Sequence, residues 1–536
     1  MASRASSTPL DMVKEIWTHL DLPPSALPSL SLPGINGASE QTLPRPVIPS
    51  SFKIGHLAQG TIALSALGAA VAHSALTRTT TSSSSPSSSS SGDGGSIPRT
   101  VVSLRHAVLE FQCERLYTLA GKPPAETWGP IGGLHPTADG HVRIHDAFPH
   151  HRRGALALLG LPDTCTDRAA VSERTRRWKS VELETVAVEE KGLAIYALRS
   201  FDEWDATPQA RAVADLPVSL RRVDVPSSSS PSPPPVIHHR REGGSTTRKP
   251  KQRCLSGLRV LELSRVIAAP VAGKTLAAHG ADVVWVTSPR LPDLPGLDRE
   301  FARGKRSIRL DLDSAGDDDR ARLLTLARAA DVVVQGYRPG SLAARGGLDA
   351  EELGRANPGI IVANLSAFGP EGPWKDRRGF DSLVQACSGI NVAEAVAYGG
   401  GAGEVSRALP CQALDHGAGY LLSAGVCAAV YHREKDREAG RSVGAYVVNV
   451  SLAGVGKYLR SLGQFERRSG FEGEDCTVLG RDEDKREEEG AFFETKQTPF
   501  GEMTFLKHSA NVDGFEPGWD RMPSLLGSDE AVWDGE

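Results

Sequence analysis

Asp415 has surroundings that suit either of two roles. It lies in the block ALDHGAG, at the start of a run of small residues typical of a buried helix. If its carboxylate carries an acyl group, Gly417 and Gly419 leave room for that group and present backbone N–H groups to a developing oxyanion. An aspartate before such a helix is also a good N-cap, and the two roles are compatible. Taken alone, the pattern favours the cap.

Other reactive residue types form no recognised catalytic or metal-binding motif. Five histidines cluster in the first half of the chain: His135, His141, His145, His150 and His151. None belongs to an HExxH motif or accompanies a cysteine pair, so we predict that they lie on the surface and hold no metal. The seven cysteines are scattered without CxxC spacing, which argues against a zinc site or a disulfide scaffold and suits a reducing compartment. Ser423 lacks the GxSxG context of a nucleophile elbow.

The elements that must position these residues alternate between strand and helix in the second half of the chain. Short apolar runs predict strands at 258–263, 282–286, 307–312, 331–335 and 359–364. Helical patterns occupy 269–279, 317–330 and 349–356. This alternation predicts an α/β fold with a parallel sheet wrapped by helices, in which ligands bind beyond the carboxyl ends of the strands.

The turn after the first predicted strand, at 264–270, does not have the GxGxxG pattern. A dinucleotide cofactor therefore lacks its main support in the sequence. Pro270 suits a helix start, because its missing N–H would be unpaired there. Since any helix N-terminus favours anions, the sequence still allows a nucleotide-containing ligand whose phosphates are bound in a different way.

Length and composition fit a soluble globular protein of about three or four domains. The chain has 536 residues, of which 40% are hydrophobic and 24% charged, and its formal net charge is -4. This balance gives no sign of a nucleic-acid partner or of an anionic membrane surface. We see no apolar signal segment near the N-terminus, so we expect a cytoplasmic protein, with a mitochondrial location left open. The uncharged stretch 54–76 is long enough to span a bilayer, but its polar residues favour a buried helix.

Two low-complexity segments divide the chain. Residues 79–96 form a Ser/Thr/Gly tract that predicts a disordered loop. Residues 225–253 are rich in Ser and Pro and then basic, which predicts a disordered interdomain linker. The basic run is also compatible with a localisation signal.

Six ordered blocks of the second half carry a resemblance to a known family. They are LSGLRVLELSRVIAAPVAGKTLAAHGADVVWV (255–286), GKRSIRLDL (304–312), ADVVVQGYRPGSLAARGGL (330–348), NPGIIVANLSAFGPEGP (357–373), GFDSLVQACSG (379–389) and LPCQALDHGAGYLLSAGVCAAVYHRE (409–434). In this order they resemble the class III CoA-transferase family of the CaiB/BaiF type. The resemblance implies a large domain built on a Rossmann-like parallel sheet and a smaller α+β domain.

The first half resembles later parts of the same family. HLAQG (56–60) and the run after it line up with the Asp415 block, so that His56 stands in place of the aspartate. Residues 132–147 and 194–212 resemble the two ends of the small domain. We therefore predict a partial copy with the small domain at 1–224, a linker at 225–253, and a CoA-binding domain with the reactive aspartate and a C-terminal tail at 254–536. Because the family folds as interlocked homodimers, this tandem chain is expected to form an intramolecular pseudo-dimer, or else a homodimer, with one active centre per chain.

The resemblance makes Asp415 the nucleophile. The family moves CoA from an acyl-CoA thioester to a carboxylic acid through aspartyl-acyl and aspartyl-CoA intermediates, with CoA as substrate and acyl carrier and without a metal. Asp381 matches the family's acidic position near the reactive aspartate, where it would orient groups or handle protons; a turn or capping role is the alternative. Racemases of the same superfamily place a histidine at the position of Phe380, which cannot transfer protons, so an isomerase is disfavoured.

The resemblance also implies a set of CoA contacts. They are Arg265, Val266, Ala268, Leu310, Tyr337, Arg345 and Arg378. Arginines suit the phosphates, and aromatic or aliphatic side chains can flank adenine. This chain departs from the family at Gly336 and Thr287, and the glycine-rich loop of formyl-CoA transferases has no clear counterpart. These departures keep two alternatives open: a catalytically impaired CoA or acyl-CoA binding protein of the same fold, and a scaffold that binds no CoA.

Overall fold

The computed structural model describes residues 3–35, 46–82, 97–225, 252–313, 318–341, 347–399, 404–473, 475–478 and 490–534. Most of the predicted loop at 79–96 and of the predicted linker at 225–253 lies outside the described residues, as does Arg345. The strands are β1 (Leu30–Ser31), β2 (Thr100–Val102), β3 (Thr118–Leu119), β4 (Gly133–Pro136), β5 (His141–Ile144), β6 (Ile195–Ala197), β7 (Val218–Val223), β8 (Arg259–Leu263), β9 (Asp282–Thr287), β10 (Lys305–Arg309), β11 (Val332–Gln335), β12 (Ile361–Ser366), β13 (Ala445–Ser451), β14 (Phe493–Thr498), β15 (Gly501–Leu506) and β16 (Ala510–Val512).

Helices connect and cover these strands. They are α1 (Pro9–His19), α2 (Ile54–Ser82), α3 (Leu104–Glu110), α4 (Cys113–Leu116), α5 (Pro149–Leu158), α6 (Arg168–Thr175), α7 (Ser180–Thr185), α8 (Phe201–Asp205), α9 (Pro208–Ala212), α10 (Ala268–Ala278), α11 (Pro295–Phe301), α12 (Asp318–Arg328), α13 (Ala350–Ala356), α14 (Asp381–Cys387), α15 (Ile390–Tyr398), α16 (Ala413–Glu438) and α17 (Leu452–Ser461). Short 3-10 turns at Pro24–Ser29 and Arg467–Phe471 and a π-helical turn at Val186–Glu190 also occur within the described residues.

The largest sheet has seven strands in the order β10-β9-β8-β11-β12-β13-β7. Its first six strands run parallel, and β7 is antiparallel to β13. Strand β8 is buried at every position, as expected for a parallel strand that helices cover on both faces. The predicted α/β fold and its parallel sheet are therefore confirmed.

Strands from the first half of the chain join sheets formed by the second half. Strand β7 completes the large sheet, β2 pairs with β16, and β3 pairs with β15. Their registers place Val102 opposite Ala510 and Leu119 opposite Met503. The backbone hydrogen bonds of three sheet edges are thus satisfied by segments that are distant in sequence.

A smaller α+β unit follows in the first half. Strands β4, β5 and β6 form an antiparallel sheet. Together with α5, α6 and α7 they enclose an apolar core that is separate from that of the large sheet and includes Ile131, Val142, Leu156 and Leu183. The loops at one end of this unit face the carboxyl end of the large sheet, where the candidate site lies.

Helix α2 lies at the centre of the protein against α16. The Ser65 hydroxyl donates to that of Ser423 at 2.9 Å, and Gly68 meets the Cys427 side chain. Within the described residues, one helical segment, Ile54–Thr79, is long and apolar enough to cross a membrane, but 94% of its apolar window is buried inside the protein. The prediction of a buried helix at 54–76 is therefore confirmed.

Candidate active site

Asp415 lies in the first turn of α16 and is nearly buried, with 7% exposure. The N-cap of this helix is Gln412, whose side chain makes no capping hydrogen bond. The prediction that Asp415 is the N-cap is therefore wrong, because the N-cap lies three residues earlier and the helix begins at Ala413. Its position in the first turn still places a carboxylate at the positive end of the helix dipole.

Asp381 supplies the missing cap from another helix. Its Oδ2 accepts hydrogen bonds from the backbone N–H groups of Leu414 at 2.8 Å and of Asp415 at 2.9 Å. The Gln385 side-chain amide donates to its Oδ1. These bonds satisfy N–H groups that the first turn of a helix leaves unpaired. Asp381 thereby fixes the backbone that carries Asp415, which agrees with a capping and orienting role.

The two carboxylates disturb each other's ionisation. Burial raises the pKa of Asp415 well above its usual range, and the charges of Asp381 and Glu114 raise it further. Burial also raises the pKa of Asp381 to about 6, although hydrogen bonds from the Asp415 N–H, Gln385 and the Leu414 N–H oppose the shift. Because two neighbouring buried carboxylates resist joint ionisation, the pair binds a proton more tightly than two separate carboxyl groups would.

Gly417 and Gly419 serve helix packing. A side chain at Gly419 would come within 2.5 Å of the Ala268 carbonyl oxygen and of Val271, and one at Gly417 would meet Val455 and Leu57. The prediction that they leave room for an acyl group is therefore wrong. Their N–H groups also lie beyond the first turn, where the helix itself uses them.

A cavity of about 430 Å³ opens at the carboxyl end of the large sheet, and Asp415 lines it. Six of the seven predicted CoA contacts line it as well: Arg265, Val266, Ala268, Leu310, Tyr337 and Arg378. The seventh, Arg345, lies outside the described residues. The large cavity thus brings together residues that are far apart in sequence, beyond the strands where ligands of such sheets bind.

The large cavity is strongly cationic. Its wall carries five arginines, Arg265, Arg290, Arg338, Arg377 and Arg378, against two carboxylates, Asp313 and Asp415. The Arg265 guanidinium lies over the Phe148 ring at 4.7 Å and donates to the Pro292 carbonyl. Guanidinium groups bind phosphate well, so the cavity suits a phosphorylated ligand. The sequence prediction missed Arg290, Arg338 and Arg377, because no local pattern separates them from other surface arginines.

Val266 has a left-handed backbone, with φ of +73°. This conformation is unfavourable for a β-branched residue. It lies in the turn between β8 and α10 and lines both the large cavity and a second one beside it. The backbone strain at Val266 therefore lies in the turn that we predict, from the sequence, to contact the ligand.

A buried ion network joins the first half of the chain to the wall of the large cavity. Glu184 accepts a bidentate pair from Arg199 at 2.7 and 2.9 Å and a further bond from Arg377 at 3.1 Å. The Ala197 backbone N–H also donates to it at 2.7 Å. Because Arg377 lines the large cavity, the smaller α+β unit holds one side of that cavity in place.

The second cavity has a volume of about 250 Å³ and lies on the other side of Asp415. Asp381 lines it, whereas Val266, Phe148, Phe380 and Asp415 line both cavities. Much of its wall comes from residues 114–128 and 145–148 of the first half. Asp415 therefore stands between a cationic cavity and a smaller one to which both halves contribute.

The histidine cluster is largely buried, so its predicted surface location is wrong for His135, His145 and His151. His135 bonds to Ser172 and to the Ile131 carbonyl, which explains its burial. His151 lines the large cavity, and His145 lines the second one.

One different group of metal-ligand types occurs within the described residues, Cys113, Glu114 and His416. The Lys274 ammonium donates to the Cys113 sulfur at 3.2 Å, and Glu114 pairs with His416 at 3.0 Å. A buried ammonium in contact with the thiol disfavours a cation there. All seven cysteines, each within the described residues, are free.

Together these features define an α/β protein with a buried carboxylate of raised pKa, Asp415, between a cavity lined by five arginines and a smaller second cavity. Residues 255–474 match the family model of CoA-transferase family III. The matched region contains Asp415, Asp381 and the described CoA-contact residues.

Named relatives are similar to parts of the chain. An acyl-CoA transferase of Gibberella moniliformis is 31% identical over 56% of this chain and 52% of its own length. A succinate–glutarate CoA-transferase of Agrobacterium fabrum is 39% identical over 27% of this chain and 39% of its own. A crystal structure of a hypothetical protein from Mycobacterium tuberculosis is 31% identical, covers 40% of this chain and 57% of that one, and has a TM-score of 0.33. The chain spans about half the length of the first curated relatives that it matches.

Proposed function

We propose that this protein is a CoA-transferase that moves CoA from an acyl-CoA thioester to a carboxylic acid, with Asp415 as the nucleophile. The observation that carries the proposal is the place of Asp415, which lines both the cationic cavity and the second cavity. A CoA thioester has a phosphorylated end and an acyl end, and its reactive carbonyl lies between them. A nucleophile at the junction of two such cavities reaches that carbonyl while both ends are held.

The large cavity binds the CoA portion in this proposal. Its five arginines pair with the phosphates, and Leu310 and Tyr337 supply apolar and aromatic surface for the adenine. Each contact contributes more to the binding free energy if Arg265, Arg378 and the neighbouring side chains are already fixed in position before the ligand binds. The Glu184 network provides this for Arg377.

The reaction proceeds by exchange at the Asp415 carboxylate. The ionised carboxylate attacks the thioester carbonyl, the C–S bond breaks, CoA leaves as the thiolate, and a mixed anhydride remains. The thiolate then attacks the aspartyl carbonyl, which releases the donor acid and leaves an aspartyl-CoA thioester. The acceptor carboxylate attacks this thioester to form a second anhydride, and the thiolate attacks the acceptor carbonyl to give the new acyl-CoA and free Asp415.

Asp381 positions the nucleophile in this scheme. It holds the N–H groups of Leu414 and Asp415, and the proton that the pair shares must leave before Asp415 can attack. A racemase would need a proton-transferring group at Phe380, which the sequence does not supply.

We also propose that the two halves of the chain form one pseudo-dimeric unit, in which the large sheet is a Rossmann-like CoA-binding domain. The helices that the sequence equates, α2 and α16, pack against each other. With His56 matched to Asp415, Gly68 matches Cys427, and these two positions are in contact. A contact between equivalent positions is what a two-fold axis produces. His56 does not line either cavity, which fits one active centre per chain.

Mass spectrometry of the Asp415 peptide tests the proposed function. The protein is incubated with a panel of acyl-CoA donors and then with hydroxylamine, which cleaves acyl anhydrides and thioesters. We expect a CoA adduct or a hydroxamate on Asp415 in the wild-type chain and none in Asp415→Ala. Binding of CoA without any adduct would contradict the transferase proposal and support the impaired binding protein. Absence of CoA binding would contradict both and support the scaffold.

A further inference from the structure

The second cavity has predominantly apolar walls. Trp128, Phe148, Phe380, Ile267 and Leu297 form much of its surface. Three of these side chains are aromatic, and rings of this kind bury large apolar area with little loss of side-chain freedom. A mostly apolar concave site selects an apolar ligand body.

The charges around this cavity disfavour a second carboxylate on the ligand. The charged residues on its wall are Glu114, Arg115, Glu126, Asp381 and Asp415. The one guanidinium of this set already donates to the Pro410 carbonyl at 2.8 Å and lies 3.6 Å from a Glu114 carboxylate oxygen. Although burial opposes it, contact with His416 lowers the pKa of Glu114, so that this carboxylate stays ionised. A dicarboxylic acid would bring its second charge against like charges.

The size of the cavity limits the acid. Its volume of about 250 Å³ lies below the range of about 300–1,000 Å³ that is usual for pockets of drug-sized ligands. That space accepts an acid of about ten non-hydrogen atoms, such as a branched short-chain acid or an aryl carboxylic acid. A long fatty acyl chain exceeds it.

His145 provides a polar contact inside this apolar space. The side chain is 5% exposed, its ring stacks on Phe380 at 3.9 Å, and the Trp128 ring packs edge-on at 5.4 Å. Its buried Nδ1 has no hydrogen-bond partner among the described residues. Burial lowers the pKa of His145 to about 3, and the charges of His151 and Arg143 contribute. The ring is therefore neutral near pH 7 and keeps one N–H to donate.

A buried polar group without a partner is costly, and such groups in native proteins call for an explanation. Because His145 lines the second cavity, a ligand oxygen there can accept a hydrogen bond from the imidazole ring. A neutral imidazole can donate to a carboxylate or to the oxygen of an acyl group without adding a charge to an apolar site.

We propose that the second cavity is the acyl chamber for a small apolar monocarboxylic acid, and that His145 donates the hydrogen bond that orients its carboxyl oxygen. The inference rests on the proposed function, because donor and acceptor acids occupy the same chamber in turn. It adds the substrate class and a substrate-contacting residue that lies outside the region matching the family.

Binding of 4-fluorobenzoate in the presence of CoA, followed by ¹⁹F NMR, tests the chamber without turnover. We expect saturable binding to the wild-type chain, displacement by isobutyrate, and no displacement by succinate or palmitate at equal concentration. His145→Phe keeps a ring against Phe380 and removes both nitrogens, so it should weaken binding by at least about tenfold. His145→Gln restores a donor and should recover most of the affinity.

His141→Phe is the matched control. His141 lies on β5, four residues before His145, and lines neither cavity, so this change should leave the affinity unaltered. Equal affinity in His145→Phe and wild type, or equal displacement by succinate, would overturn the inference. If His145→Phe shows no cooperative urea unfolding, it is not a folded variant. The inference is then tested by the acid selectivity of the wild-type chain and by the affinity of His145→Gln for 4-fluorobenzoate.

The adduct experiment separates failure of this inference from failure of the proposed function. An Asp415 adduct combined with a preference for succinate or palmitate as acceptor would refute the apolar chamber and leave the transferase standing. Selective binding of 4-fluorobenzoate through His145 without any adduct would refute the transferase and leave the chamber.

Discussion

Asp381→Asn removes one charge from the carboxylate pair while keeping an oxygen that can accept from the N–H groups of Leu414 and Asp415. At present Asp381 raises the pKa of Asp415 and holds those two N–H groups at 2.8 and 2.9 Å. A neighbouring charge of this kind shifts the pKa of a carboxyl group by about one to three units. We therefore expect the pKa of Asp415 to fall by about two units in the variant.

The assay is the rate of Asp415 acylation by an acyl-CoA donor between pH 4 and 9. The nucleophile must be ionised, so the acid limb of the profile reports the apparent pKa of the pair in the free enzyme. We expect this limb to move to lower pH by about two units in Asp381→Asn. Glu394→Gln removes a different buried carboxylate, bound to Ser51, and should leave the limb in place. An unmoved limb in Asp381→Asn, or an equal movement in Glu394→Gln, would refute the electrostatic coupling.

Two further predictions concern stability. Glu184→Gln leaves the buried Arg199 guanidinium without its carboxylate and weakens the bond to Arg377, so it should destabilise the chain by about 3–5 kcal/mol; an unchanged urea midpoint would contradict this. Burial raises the pKa of Asp298 from 3.8 to about 7, so the ionised group destabilises the fold as pH rises through that window. Asp298→Asn keeps an acceptor for the Leu294 N–H. Its free energy of unfolding should equal that of the wild type below about pH 4, exceed it by about 4 kcal/mol at pH 7, and keep that excess above pH 7. A difference between the urea midpoints that does not change with pH would contradict the raised pKa of Asp298.

The strand and helix pattern of the second half could be predicted because each element is a local feature of the sequence. The predicted strand at 282–286 is β9, and that at 359–364 overlaps β12. The predicted strand at 307–312 is displaced, since β10 is Lys305–Arg309 and begins with charged residues. Lys305 lies buried there against Glu262, a pairing across two strands that no local rule predicts.

The candidate site could be predicted only in part. The family resemblance located Asp415 and six CoA-contact residues of the large cavity, but it did not identify Arg290, Arg338 and Arg377. The second cavity depends on residues 114–128 and 145–148, which meet Asp415 only through the folding of distant segments. The two glycines after Asp415 were misinterpreted because a small residue allows either ligand access or close helix packing, and only the helices packed against them, α10 at Gly419 and α2 and α17 at Gly417, decide between the two.

The pairing of β2 with β16 has a consequence for synthesis on the ribosome. Val102 faces Ala510, so 408 residues separate the two partners. At about 5–20 residues per second, the first strand waits roughly 20–80 s for its partner to be translated. Until residues 413–438 have been translated, the apolar helix α2 also lacks α16 to cover it. The nascent chain should therefore depend on chaperones that hold its first half until translation is nearly complete.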